Sequence, residues 1–231
     1  MIELFGHPFS SYTWKALIAF YENDLAFTLR NVDPAEPGNG TELMRRWSIG
    51  KFPLLVEAGP ERQPEAGSRS GDAQVMEATS IIEYLDAVHP GATRFLPAEP
   101  AAAREVRMLD RIFDNYVMGV MQEIVNDRIR PPERKDPATV AEARTRLDTI
   151  YGWLDARMAT REWACGGDFT LADCAAAPSL FYADWVHPND GRFAALAAYR
   201  ARLLARPSVA RAVDGARPYR HYFPGGAPER D

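Results

Sequence analysis

The spacing of apolar residues changes partway along this chain. Up to Met76, short apolar runs alternate with polar punctuation, and from Ala101 onward the apolar positions recur at helical intervals. Ile2-Glu3-Leu4-Phe5-Gly6 reads as a strand, Ala16 to Tyr21 as the apolar stretch of a helix, and Ala26 to Val32 as a second strand, which together make a βαβ unit. Pro34, Pro37, Gly38, Asn39 and Gly40 break the chain into a loop, after which Thr41 to Trp47 reads as a short irregular helix. Phe52 to Glu57 and Ala73 to Met76 read as a third and fourth strand. The long polar connection between them, Gly59 to Asp72, is expected to be exposed and mobile. Glu77 to Val88 follows as a helix with Ile81, Ile82, Tyr84, Leu85 and Val88 as its apolar positions.

Pro90, Gly91, Pro97 and Pro100 cannot lie inside one helix, so residues 89–100 read as a linker. It separates an α/β unit over residues 1–88 from an all-α unit over residues 101–231. In the second unit Ala101 to Arg128 and Pro137 to Ala159 are long helices, Leu171 to Asp184 and Arg192 to Ala205 are two more, and a shorter turn precedes Pro218. Thr170-Leu171-Ala172-Asp173 is a carboxylate version of the capping box, with Phe169 placed to staple the helix start. No internal repeat is visible.

Composition narrows the function classes. With 231 residues, 46% of them hydrophobic, the chain can bury a sizeable core. A net charge of -5 with dispersed arginines offers no footprint for nucleic acid. No apolar run reaches membrane-spanning length and the first residues do not read as a leader, so a cytoplasmic protein without membrane association is expected. Cys165 and Cys174 form no disulfide framework or zinc-ligand set and read as small buried apolar residues, leaving no metal site.

The densest chemistry lies where the first strand turns through His7-Pro8-Phe9-Ser10 onto a helix start, Ser11-Tyr12-Thr13-Trp14-Lys15. In a thioredoxin or glutaredoxin this turn carries Cys-x-x-Cys. Here the paired positions are Ser10 and Thr13, and neither can form a mixed disulfide. A helix N-terminus favours an anion placed before it, and a serine hydroxyl there can donate to that anion. Serine is equally an ordinary N-cap, and both readings stand.

Ser10 to Lys15 resembles the Ser-Ser-Cys-Ser-Trp-Arg of zeta-class glutathione transferases and, more loosely, the Ser-Pro-Phe-x-x-Arg of the tau class. Gly50-Lys51-Phe52-Pro53-Leu54-Leu55 is similar to the family's Gly-Lys-Val-Pro-x-Leu, and Glu77-Ala78-Thr79-Ser80-Ile81 to its Glu-Ser-x-x-Ile. The capping box is found in the family's helical domain as well. In this order the motifs make the chain resemble a serine-type cytosolic glutathione transferase. The resemblance implies a thioredoxin-like N-terminal domain, an all-α C-terminal domain, a homodimer, and glutathione as co-substrate for attack on a small hydrophobic electrophile.

The same resemblance assigns roles. Ser10, or its neighbour Ser11, stabilises the glutathione thiolate and so lowers its pKa. Phe52 presents its backbone to the cysteinyl part before a cis Pro53, Lys51 meets the glycyl carboxylate, and Glu77 takes the γ-glutamyl ammonium. Ala78 stands where the family has serine, which leaves the γ-glutamyl carboxylate to Thr79 and the helix amides. Trp47-Ser48 stands where Asn-Pro is common. The electrophile pocket is expected between the domains, with Tyr12, Asn115, Tyr116, Met118 to Met121, Tyr219, Tyr222 and Phe223 as candidates, any of which serves equally as ordinary core. Two further readings remain: a cis-trans isomerase of the maleylacetoacetate type, in which Cys stands where Tyr12 is, and a weakly active binding module, suggested by Ala78.

Overall fold

The structure, a computed structural model, describes residues 1–59 and 72–231. Ile2–Gly6 (β1), Thr28–Asn31 (β2), Leu54–Glu57 (β3) and Ala73–Met76 (β4) form a four-stranded sheet in the order β2-β1-β3-β4. β1 is parallel to β2 and antiparallel to β3, and β4 is antiparallel to β3. A parallel pair needs a crossover, which α1 (Ser11–Glu22) supplies. α2 (Pro37–Arg46) joins β2 to β3, and α3 (Ala78–Val88) follows β4. The connection expected to be mobile, Gly59 to Asp72, falls outside the described residues over 60–71.

Alternation along the strands divides the apolar residues between two faces. Leu4 and Leu55 enter the main core with Trp14, Ile18, Ile81 and Leu85, whereas Phe5, Leu54 and Val56 meet Leu43 of α2, with Trp47, Phe52 and Met76 packed alongside. α1 and α3 therefore cover one face of the sheet and α2 the other. The turn from β1 into α1 closes around Gly6, where an added Cβ would lie 2.6 Å from the Thr13 side chain.

In the helical half, α4 (Pro100–Ile112), a π-helical segment (Phe113–Met118) and α5 (Gly119–Ile129) follow one another without a break. α6 (Pro137–Met158), α7 (Leu171–Val186), α8 (Ala194–Ala205), α9 (Pro207–Ala216) and a 3₁₀ turn (Arg217–Tyr222) complete it. α7 is buried along nearly its whole length and packs against α1, α4 and the π segment. Its capping box is formed as the sequence implies. The wholly buried Asp173 carboxylate accepts from Thr170 N (2.8 Å), Thr170 Oγ1 (3.0 Å), Ala164 N (2.8 Å) and Tyr199 OH (2.6 Å).

Two elements differ from expectation for one reason. The helix expected over Thr41 to Trp47 starts at Pro37, and the short turn expected before Pro218 is a full helix led by Pro207. Each proline occupies the first helical turn, where its missing N–H has no intrahelical partner to lose. Among the described residues no helix is long and apolar enough to cross a membrane.

Asp173→Ala strips buried donors of their acceptor and should lower the unfolding free energy in urea by roughly 3 kcal/mol or more. Thr170→Ala removes the cap alone and should lower it by about 1 kcal/mol. Equal losses would show that the carboxylate's links to Ala164 and Tyr199 add nothing.

Candidate functional site

The β1–α1 turn is held from both halves of the molecule. Ser10 N donates to His7 O (2.9 Å), and Phe9 N donates to His7 Nδ1 (3.1 Å), so His7 Nε2 carries the ring proton and donates to Asp33 (3.1 Å). From the helical half, Tyr182 OH donates to Phe9 O (2.7 Å), the rings of Tyr219 and Tyr222 meet His7 edge-on, and Tyr222 OH donates to Asp33 (3.2 Å). Phe223 is buried beside Phe9, Tyr182 and Trp185. Ser10 caps α1, its Oγ accepting from Thr13 N at 3.3 Å. Because that bond uses a lone pair, the hydroxyl proton stays available. Ser11 is the first helical residue and is half-buried.

A cavity of about 430 Å³ opens between the sheet and the helices. Tyr12, Lys51, Phe52, Pro53, Glu77, Ala78 and Asn115 all line it, as do Trp47, Arg111 and Asp114. The Phe52-Pro53 bond is cis. Glu77 sits at the N-cap of α3 with φ 68°, a conformation that costs a non-glycine residue about 1–3 kcal/mol.

Behind the cavity lies a buried ion cluster. Lys15, 1% exposed, reaches from α1 to Asp110 (2.5 Å), Asp114 (2.7 Å) and Thr79 Oγ1 (2.8 Å). Thr79 Oγ1 donates to Asp110 Oδ2 (3.0 Å), and Arg111 Nη2 donates to Asp110 (2.6 Å), Asp114 (2.8 Å) and Thr79. Asp114 belongs to the π segment, whose wider turn is a feature often found at functional sites. Burial pushes the Asp114 carboxyl above its ordinary range, Asp110 adds to the rise, and Lys15 and Arg111 oppose it. Burial, with the Asp114 charge second, also raises the Tyr12 phenol, which therefore stays protonated at neutral pH.

With this geometry the comparisons with known proteins agree. Residues 4–93 match the family described as "Glutathione S-transferase, N-terminal domain", and residues 116–207 match "Glutathione S-transferase, C-terminal domain". The chain belongs to the glutathione S-transferase family. It is 29% identical over 163 residues to FtsZ-localized protein A of Caulobacter vibrioides, covering 68% of each chain. It is 24% identical to glutathione S-transferase GstB of Escherichia coli, covering 78% of this chain and 82% of that one. A glutathione S-transferase of Methylobacterium radiotolerans, solved in complex with glutathione sulfonate, superposes with a TM-score of 0.73 at 26% identity over 92% of this chain and 94% of that one.

The fold of this family gathers most of the residues singled out in the sequence, and separates a few. Ser10 and Ser11 lie at the turn, just ahead of Tyr12, and do not line the cavity; nor does Thr79, whose hydroxyl is engaged in the ion cluster. Tyr116 lines a second cavity, of about 570 Å³, beside Ile112, Ile150 and Trp153, and Asn115 borders both. Met118 and Met121 are core residues, each 3% exposed, and Tyr219 and Tyr222 pack on His7. Lys15, Arg111 and Asp114 were not anticipated. Their signal was present: the apolar stripe Val106, Leu109, Phe113 and Val117 is interrupted by acids four apart at 110 and 114, facing the same core.

Lys15→Met leaves two buried carboxylates without their ammonium and should lower stability at neutral pH by roughly 3–5 kcal/mol. A carboxyl whose folded pKa is raised is stabilising below its unfolded pKa, and that contribution is lost as pH rises through the folded value. Urea titrations of the variant should therefore show part of the deficit recovered as pH falls from neutral towards 5. A deficit that stays flat over that range would remove the carboxylates as its source.

Proposed function

We propose that this chain is a serine-type glutathione transferase, acting as a homodimer, that holds glutathione in the cavity between the sheet and the helices and activates its thiol for attack on a small electrophile. The observation that carries the reading is the convergence on one cavity of three segments far apart in sequence: Tyr12 beside the Ser10 turn, Lys51-Phe52-Pro53, and Glu77-Ala78. In this reading the glutathione backbone lies along Phe52, its glycyl carboxylate meets Lys51, and its γ-glutamyl ammonium meets Glu77. Ser10 donates its free proton to the thiolate while still capping α1, so its two sequence readings are compatible. The Methylobacterium relative, solved with a glutathione derivative, supports the ligand class.

A second reading, a transferase-like binding module, is favoured by Ala78 and by the likeness to a protein named FtsZ-localized protein A. Calorimetry separates the two. On the transferase reading glutathione binds at millimolar-scale concentration and Glu77→Ala abolishes binding; binding that emerges only in Ala78→Ser favours the module. For catalysis, Ser10→Gly is the cleaner probe, because glycine at an N-cap costs only a few tenths of a kcal/mol. Turnover of an aromatic halide should fall by about 10–100-fold, the loss of one hydrogen bond to a charged group. Unchanged turnover in Ser10→Gly together with an inactive Ser11→Ala would move the role one residue on.

A further inference from the structure

Ala78 leaves position 78, at the start of α3, without a side-chain donor for a carboxylate, and Thr79 does not supply one. Its Oγ1 receives Lys15 Nζ and Arg111 Nη2, and its own proton goes to Asp110 Oδ2. Arg111 reaches the same place from the helical half. Its Nε and Nη2 are anchored on Asp110, Asp114 and Thr79, while Nη1 makes no hydrogen bond among the described residues. The side chain is 51% exposed and lines the cavity together with Glu77 and Ala78.

We propose that Arg111 is the residue that binds the γ-glutamyl α-carboxylate of glutathione, taking over at the helix start the part that a serine at position 78 would play. The inference rests on glutathione being the ligand of the cavity. The signs match the γ-glutamyl zwitterion: the Glu77 carboxylate, which makes no hydrogen bond to the described residues, receives the ammonium, and the guanidinium receives the carboxylate. A guanidinium–carboxylate bond is charge-assisted at both ends and roughly twice as strong as a neutral one, so the substitution strengthens the contact that the alanine removes. Asp114 also borders the cavity, but its Oδ2 is already occupied by Lys15 and Arg111, which offsets its repulsion of an incoming anion. The anchored edge also fixes the guanidinium plane, so little side-chain freedom is lost on binding.

The test compares glutathione with γ-aminobutyryl-cysteinylglycine, which lacks only that carboxylate, by calorimetry. The unaltered chain should bind glutathione at least about tenfold more tightly than the analogue. Arg111→Gln should remove most of that preference by weakening glutathione alone, Arg111→Lys should fall between, and adding Ala78→Ser to Arg111→Gln should restore part of it. Each variant carries its own control, because the analogue reports any damage to the cavity that does not involve the carboxylate. Equal weakening of both ligands by Arg111→Gln, or of neither, overturns the assignment while leaving glutathione as ligand. If the unaltered chain binds neither compound, the glutathione reading fails and this inference fails with it.

Discussion

One buried ammonium ties the two halves of this molecule together across the apolar core they share. Lys15 projects from the sheet-side helix α1 into a region where an unpaired cation would be too costly to keep, and Asp110 and Asp114 reach it from the helical half. Arg111 balances the second acid, so that two cations meet two anions and the cluster is neutral as a whole. Because Ser10 caps α1 five residues before Lys15, whatever fixes Lys15 also fixes the turn that carries the serine. The position of the helix start relative to the cavity thus answers to an electrostatic requirement as well as to the apolar packing of Trp14 and Ile18.

Much of the fold was legible because its signals are local. The strand-helix alternation of the first half and the Thr170–Asp173 box each need only neighbouring residues to be recognised. Proline misled at position 37, since the same letter ends one helix and starts another, and only the following residues decide which. The π segment has no local signature at all: Phe113 to Met118 reads as continuous helix, and its wider turn emerges only in tertiary packing. Of the residues that line the cavity, Lys51, Phe52, Pro53, Glu77 and Ala78 sit inside contiguous motifs and stand out in the sequence. The ion cluster does not, because its members are separated by up to 99 positions and each looks, alone, like an acid or base on a helix.

Where the sequence departs most from local preference, the structure places the cavity. Glu77 holds a left-handed φ where an ordinary helix cap would be extended, and it makes no side-chain capping bond. A surface residue gains nothing from such a backbone, so the strain is maintained by β4 on one side and the buried first turn of α3 on the other. Ala78 at 3% exposure is part of that clamp: the small side chain that removes a polar contact also lets the helix start lie close against the core.

The turn bearing Ser10 has another consequence, in the order of events during synthesis. The tyrosine that bonds Phe9 is 173 residues downstream, and the one that bonds Asp33 is 189 residues beyond its partner. On a ribosome the sheet and α1 emerge long before either exists, so for most of translation the turn lacks the groups that will hold it. Contacts of such sequence separation form late and slowly. The nascent sheet half can therefore acquire its strands well ahead of these bonds, and the turn takes its final support only when the last aromatic residues dock.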